Sequence, residues 1–410
     1  MRTGASEPMA HVVFAWELGG GLGHLVRYRR LIARLCEAGH RVGFIARDHA
    51  RAAQVFAPSP VAVAAAPWDE TPPAARVTPP NSFAEVLLNS GFADPAQLTR
   101  RLAAWCALLR EREPDVLVAD YAPSAVLAAR VLGLRAIASG NGFYLPPSLT
   151  PLPPLRYWEA ADRAALAASE ARLLAQLNAA LAACGGPLAG SVAEAVLGDE
   201  QFVHAFAEFD HVYERPGAEY LGAWPSAAFG IAPAWPPGRG PRLFGYLDPE
   251  VLLPELLAAV AALGVRLCVY APGVAPTTVA ATPDVTWMPG PVDLEQAAAE
   301  ADAYVSNANI NSMMAFLLAG KPQLVLPYTL EKYLVGRRLE MLGAGLSAPR
   351  RAPGDVQQKL RAVLCGRDCR RAAERFAARY AGGDEDRAAA RMQARLGLGP
   401  VLKNEEFAIC

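Results

Sequence analysis

The sequence predicts an α/β protein of two successive domains, each built on a parallel sheet. Three observations carry this. The chain has 410 residues, and a typical domain takes roughly 100–200. Both halves alternate short buried strands with helices, the pattern of βαβ units rather than of hairpins. Between the halves lies Ala234-Trp-Pro-Pro-Gly-Arg-Gly-Pro241, whose Pro and Gly content marks a linker. The expected division is 1–228 for the first domain, 229–241 for the linker, 242–380 for the second domain, and 381–410 for a C-terminal helix and tail.

In the first half, the apolar stretch His11–Ala15 reads as a strand, followed by the Gly-rich turn Trp16-Glu-Leu-Gly-Gly-Gly-Leu-Gly-His24. Leu25, Leu31, Ile32 and Leu35 lie near helical spacing, so a helix is expected over 25–37, ended by Gly39. Arg41–Ala46 is the next strand. The unit recurs downstream: Pro114–Asp120 is a buried strand ending in a carboxylate, Ser124–Leu132 a helix capped by Gly133, and Leu134–Ala138 a strand. Ala160–Ala183 is helical by composition and stops at Gly185–Gly186. The stretches Trp68–Phe92 and Tyr144–Trp158 read as long irregular connections, a common site of function.

Beyond the linker the alternation restarts. Strands are expected at Arg242–Leu247, Val265–Tyr270, Val285–Trp287, Ala303–Ser306 and Gln323–Leu326. Helices are expected at Glu250–Leu263, Leu294–Ala301, Asn311–Ala319 and Glu331–Leu342. The tail, Arg370–Leu398, is mostly helical and long enough to pack back on the first domain. Open parallel sheets bind ligands outside the C-terminal ends of their strands, so two such domains facing across a cleft would bind there.

Composition narrows the function. Apolar residues make up 53% and charged residues 19%, which supports sizeable cores and argues against disorder. With 39 basic and 40 acidic side chains the formal net charge is −1, which gives no broad positive field for nucleic acid. The seven cysteines form no paired framework, consistent with reduced thiols in a cytoplasm. Cys365 and Cys369 share helical spacing but lack a second pair for a metal site. The two uncharged stretches, 136–155 and 173–193, are broken by Gly and Pro, so no transmembrane segment is expected.

Two constellations carry chemistry. The first joins the Gly-rich turn to the strand-end Asp120. Gly21 and Gly23 permit a tight turn and close approach of a ligand, but the spacing is not that of a dinucleotide fingerprint, because position 26 is Val. His24 suits a general base, since an unperturbed imidazole accepts protons near neutral pH; a histidine merely packed against the turn is the plainer alternative. The second is Ala303-Tyr-Val-Ser-Asn-Ala-Asn-Ile-Asn-Ser312, where a strand runs into a helix start. A helix N-terminus there offers free backbone N–H groups to a diphosphate, with Asn309, Asn311 and Ser312 as further donors. The same residues also suit an ordinary N-cap.

This second half resembles the donor-binding half of the UDP-glycosyltransferase superfamily and its bacterial macrolide-glycosyltransferase-like relatives. In that family a strand leads into His-Gly-Gly-x-x-Ser, a helix, Gly-x-Pro, a strand ending in Pro, and an acidic-Gln pair. Here Asn307-Ala-Asn-Ile-Asn-Ser312 fills the turn, Gly320-Lys-Pro322 the middle and Glu331-Lys332 the pair. The resemblance implies a GT-B fold and a UDP- or dTDP-linked sugar as cosubstrate, with no resident cofactor and no metal. It places Asn307 where the phosphate-contacting His usually stands and Glu331 on the donor hydroxyls. Lys332 replaces the usual Gln. Trp287 and Met288, in Pro283-Asp-Val-Thr-Trp-Met-Pro289, fall where the family holds the nucleotide base, although Trp287 also suits a core strand. Gly245 and Tyr246 would border the phosphates.

The Gly-His turn likewise resembles the family's acceptor side, which implies His24 as the base and Asp120 as the carboxylate that orients it. Phe83, Phe92, Phe143 and Tyr144, with Tyr157 and Trp158, fall where the family builds its acceptor pocket; they suit an apolar or aromatic small molecule, or serve as loop anchors. His204 and His211 read as structural. Asp384-Glu-Asp386 is the lone Asp-x-Asp match and reads as a solvated helix face. The expected activity is inverting, metal-independent transfer of a sugar to a small-molecule hydroxyl. The absence of the family His and Gln leaves a second reading: a nucleotide-sugar-binding pseudoenzyme that acts as a partner or regulator.

Overall fold

In a computed structural model, residues 9–57, 59–68, 76–211, 215–225, 230–248, 253–274, 282–352 and 354–398 are described. They form two compact units. The first comprises residues up to Ala205, Val212–Gly222 and the segment from Asp386 onward; the second comprises Phe206–His211 and Ala223–Glu385.

The first unit is a six-stranded parallel sheet. Its strands are β1 (His11–Trp16), β2 (Arg41–Ala46), β3 (Val61–Ala65), β4 (Val116–Asp120), β5 (Ala136–Gly140) and β6 (Glu200–Val203). They are arranged β3-β2-β1-β4-β5-β6. Strand side chains alternate between faces. Val12, Phe14 and Trp16 therefore enter one core with Val42, Phe44, Val116 and Val118, while Val13, Ala15, Leu117 and Ala119 enter the other. Both faces are buried, as an all-parallel sheet requires.

The helices between these strands are α1 (Gly23–Val26), α2 (Arg29–Glu37), α3 (His49–Phe56), α4 (Phe83–Leu87), α5 (Pro95–Arg112), α6 (Pro123–Leu132), α7 (Arg163–Ala183) and α8 (Val192–Leu197). The single helix expected over 25–37 is thus two, broken at Arg27–Tyr28. Tyr28 is fully buried and its hydroxyl bonds Ser139, a long-range anchor that overrides the local helical pattern. Helix α5 starts with the Asp94 side chain capping two backbone N–H groups and Pro95 in its first turn. The irregular connection expected over 68–92 holds α4 and a π-turn at Leu88–Phe92; residues 69–75 of it lie outside the described residues.

The second unit is a second six-stranded parallel sheet, β12-β11-β10-β7-β8-β9. Its strands are β7 (Arg242–Tyr246), β8 (Arg266–Tyr270), β9 (Val285–Trp287), β10 (Ala303–Ser306), β11 (Gln323–Val325) and β12 (Gly345–Ser347). Its helices are α9 (Leu253–Leu263), α10 (Leu294–Glu300), α11 (Ile310–Leu318), α12 (Leu330–Leu342), α13 (Val356–Cys365) and α14 (Arg367–Arg379). The expected helix start at 250–252 lies outside the described residues. The Pro- and Gly-rich stretch packs on this unit: Ile231 bridges Val292, and Trp235 Nε1 donates to Glu300 at 2.6 Å.

The tail ends in α15 (Glu385–Leu396). Its Ala389, Met392 and Leu396 pack into the first unit's core beside Val12, Phe14 and Leu31. No described helix is long and apolar enough to cross a membrane.

Candidate active site

In each sheet the chain reverses its direction of growth at one point, and ligands of such sheets bind beside that point. In the first unit the reversal lies between β1 and β4, which pair in parallel with Trp16 opposite Asp120. The turn after β1 carries His24 over the end of β4. His24 Nδ1 lies 3.0 Å from Asp120 Oδ1, and both side chains are buried. So the pair expected from sequence is brought together.

Burial alone would raise the Asp120 carboxyl, but the guanidinium of Arg27 and the ring of His24 outweigh it and hold it below its ordinary value. Arg27 Nε is 3.6 Å from Asp120 Oδ2. An ionised carboxylate only accepts hydrogen bonds, so Nδ1 is a donor, and in the neutral ring Nε2 is the nitrogen with the lone pair. The ring is fixed by stacking on Trp16, with centroids 5.0 Å apart and planes 12° apart, and by Tyr144 at 5.1 Å. Gly19 matters most in the turn: its φ is +75°, and a Cβ there would stand 2.8 Å from His24 Nε2. Any side chain there would press on that nitrogen. Gly21 also has positive φ (+94°) and is exposed, while Gly23 opens α1 and its carbonyl accepts from Arg27 Nε.

Behind the pair lies a polar chain that sequence reasoning missed. Tyr28 OH and Ser139 Oγ are 2.6 Å apart, and Ser139 Oγ is 3.0 Å from His204 Nε2. Burial drives His204 down to about 3, with Arg27 adding to the effect and Asp120 opposing it, so the ring stays neutral. Burial likewise keeps Tyr28 a protonated phenol. These contacts come from β5 and from the segment after β6, and no local pattern announces them.

Two of the residues expected to line an acceptor pocket pack into the first unit's core. Phe83 and Phe92 are core residues, 4% and 0% exposed. Phe92 lies under the Arg101 guanidinium at 5.0 Å. Arg101 in turn reaches the fully buried Glu17 at 3.4 Å, and Glu17 also accepts from Ser124 N at 2.9 Å. This buried pair pins the turn that carries His24, so the aromatic ring supports the site from beneath. Phe143 and Tyr144 are half-buried, and Tyr144 stacks on Tyr121 at 4.3 Å beside His24. Tyr157 and Trp158 pack edge-on against each other.

In the second unit the order reverses between β7 and β10. Asn307 follows β10 and is fully buried; its Nδ2 donates to Asp248 Oδ2 at 2.5 Å, while its Oδ1 has no partner among the described residues. Asp248, which follows β7, was not singled out from sequence. Tyr328 OH and Lys332 Nζ donate to the same Asp248 oxygen, both at 2.7 Å. Ala308 adopts φ +66°, a left-handed conformation that costs an L-residue roughly 1–2 kcal/mol, and it leads the chain into α11.

The helix start itself departs from expectation. Asn309 is the N-cap residue but its side chain makes no capping bond, and Ser312 Oγ donates to Asn309 O at 3.1 Å, so that proton serves its own turn. The backbone N–H groups of the first turn thus lack a side-chain cap. Asn311 is half-buried there. Glu331 lies in the first turn of α12 beside Lys332. Gly245 is explained by packing: a Cβ would meet Val269, Leu267 and Val305 at 3.1–3.3 Å inside the sheet. Trp287 ends the edge strand β9 and Met288 is buried, two strands away from the reversal point on β7. Among the described residues no group of three His, Cys, Asp or Glu side chains is placed to hold a metal.

Solved structures share this architecture from end to end. A calicheamicin glycosyltransferase matches with a TM-score of 0.70 at 17% identity, over 95% of this chain and 98% of that one. The glycosyltransferase VinC in complex with dTDP matches at 0.66 and 19%, over 93% and 100%. A spinosyn rhamnosyltransferase complexed with spinosyn aglycone matches at 0.66 and 17%, over 95% and 100%. The fold is that of the GT-B glycosyltransferases. No family model and no curated protein sequence matches the chain.

Proposed function

We propose that this chain is a glycosyltransferase that moves a sugar from a UDP- or dTDP-linked donor to a hydroxyl of a small-molecule acceptor, in the cytoplasm. The observation that carries the reading is the His24–Asp120 pair at the strand reversal of a fold shared with glycosyltransferases. His24 Nε2 takes the acceptor's hydroxyl proton, and Asp120 stabilises the imidazolium that results. A single displacement at the anomeric carbon, in which the acceptor oxygen replaces the diphosphate, inverts that centre. The diphosphate is met by the uncapped start of α11 and the ammonium of Lys332, so the reaction as proposed uses no metal and no resident cofactor. Tyr144 lies against His24 and Phe143 against Tyr144, which favours an apolar or aromatic acceptor. The dTDP and aglycone complexes among the similar structures support both ligand classes.

A binding-only protein has no need of a buried, carboxylate-held imidazole whose other nitrogen stands beside a glycine, and this favours transfer. The test is His24→Ala, assayed for transfer across a panel of nucleotide sugars and aromatic alcohols, with dTDP and UDP binding measured by calorimetry. Transfer falls by about 10²–10⁴-fold, the usual worth of a general base, while nucleotide binding is retained. Near-normal turnover by the variant would remove His24 from the reaction.

A further inference from the structure

The second unit contains an anion already bound, and it belongs to the chain. One oxygen of Asp248 accepts from the Asn307 amide, the Tyr328 hydroxyl and the Lys332 ammonium, at 2.5, 2.7 and 2.7 Å. These donors follow two neighbouring strands: Asn307 comes after β10, and Tyr328 and the α12 residue Lys332 come after β11. Lys332 Nζ also lies 2.9 Å from Tyr328 OH and 4.1 Å from its ring centroid, so the ammonium is held from two sides. An ammonium, an amide N–H and a phenol O–H are the donors a phosphate oxygen takes. Here a carboxylate takes all of them.

Its charge makes the arrangement consequential. Asp248 and Lys332 cancel, so the corner beside the α11 start offers a dianionic phosphate little net attraction. The carboxylate also repels a second anion brought to the same donors. Both side chains retain solvent contact, 25% for Asp248 and 14% for Lys332, so the pair can part without disturbing the core. Among the described residues the buried Asn307 Oδ1 has no donor.

We propose that Asp248 is an internal substitute for the ligand's phosphate, and that a nucleoside diphosphate binds by displacing it from Lys332, Tyr328 and Asn307. Competition of this kind weakens the hold on the free diphosphate and favours its release after transfer. The proposal rests on the reading of this corner as the diphosphate site.

Calorimetric titration with dTDP and UDP tests it, using the full-length protein and Asp248→Asn, Lys332→Met and the double variant. Asp248→Asn binds about tenfold more tightly than the unaltered chain. Lys332→Met binds more weakly, and the gain from Asp248→Asn shrinks in its background. Asp248→Ser repeats the measurement should the asparagine variant fail to fold. If removing the carboxylate leaves affinity unchanged or lowers it while the unaltered chain binds, Asp248 merely aims Lys332 and the competition is wrong. Absence of binding by every folded variant, the unaltered chain included, would instead overturn the diphosphate site itself.

Discussion

At the scale of single residues, Asp120 and His204 show how burial and charge divide the work of the first unit. Asp120 stays ionised in the interior because Arg27 and His24 flank it, whereas His204, equally buried, stays neutral near Ser139. His204 makes a prediction with a definite sign. Its folded value is about 3 against 6.5 for an ordinary histidine. Between those values the unfolded chain binds the extra proton, so stability rises with pH there and is fully present above about 6.5. His204→Gln should flatten that slope, worth up to about 1.4 kcal/mol per pH unit, in urea unfolding compared at pH 4.5 and 7.5. A variant that loses stability on acidification as steeply as the parent would refute the assignment. The residues that first carry the site were legible: His24 and Asp120 stand at the end of a strand–turn pattern. Asp248, Tyr28, Ser139 and His204 were not, because each acts only through partners distant in sequence.

Elements were readable wherever period and caps agreed. The strands β1, β2, β4, β7 and β10 were expected within two residues of where they lie, and so was the start of α11. The short strands β3, β6 and β12 were not expected, since small or mixed side chains give them no distinct periodicity and neighbouring strands alone define them. β12 depends on one atom-level detail. Gly345 pairs with Gln323, and a Cβ on it would stand 2.2 Å from the Gln323 carbonyl oxygen and 2.7 Å from Leu339 Cδ2. The obstacle is backbone, which cannot turn aside as a side chain can. Gly345→Ala should therefore destabilise the second unit by about 1–3 kcal/mol, the usual cost of overpacking. Chemical denaturation measures it, and an unchanged midpoint would show that β12 shifts freely.

On the scale of the whole molecule, the chain makes its two units unequally. The second draws its sheet from one continuous stretch, β7 to β12, while the first recovers its last helix from the far end of the sequence. Arg30 pairs with Asp386, Arg135 reaches the carbonyls of Arg395 and Leu396, and Met392 sits 3% exposed against the sheet. Removing residues 385–410 should lower the melting temperature of the first unit by about 10 °C, as several kcal/mol of apolar burial are lost. Calorimetry should show the second unit's transition little changed; a common shift of both would mean that α15 stabilises the chain as one body. By itself the sequence determined two parallel-sheet domains and the residues at two strand ends, because hydrophobic period and glycine position are local properties. Only the tertiary structure decided that Phe83 and Phe92 are core and that Asp248 accepts from Asn307, Tyr328 and Lys332, because burial and hydrogen-bond partners depend on which distant segments the fold brings together.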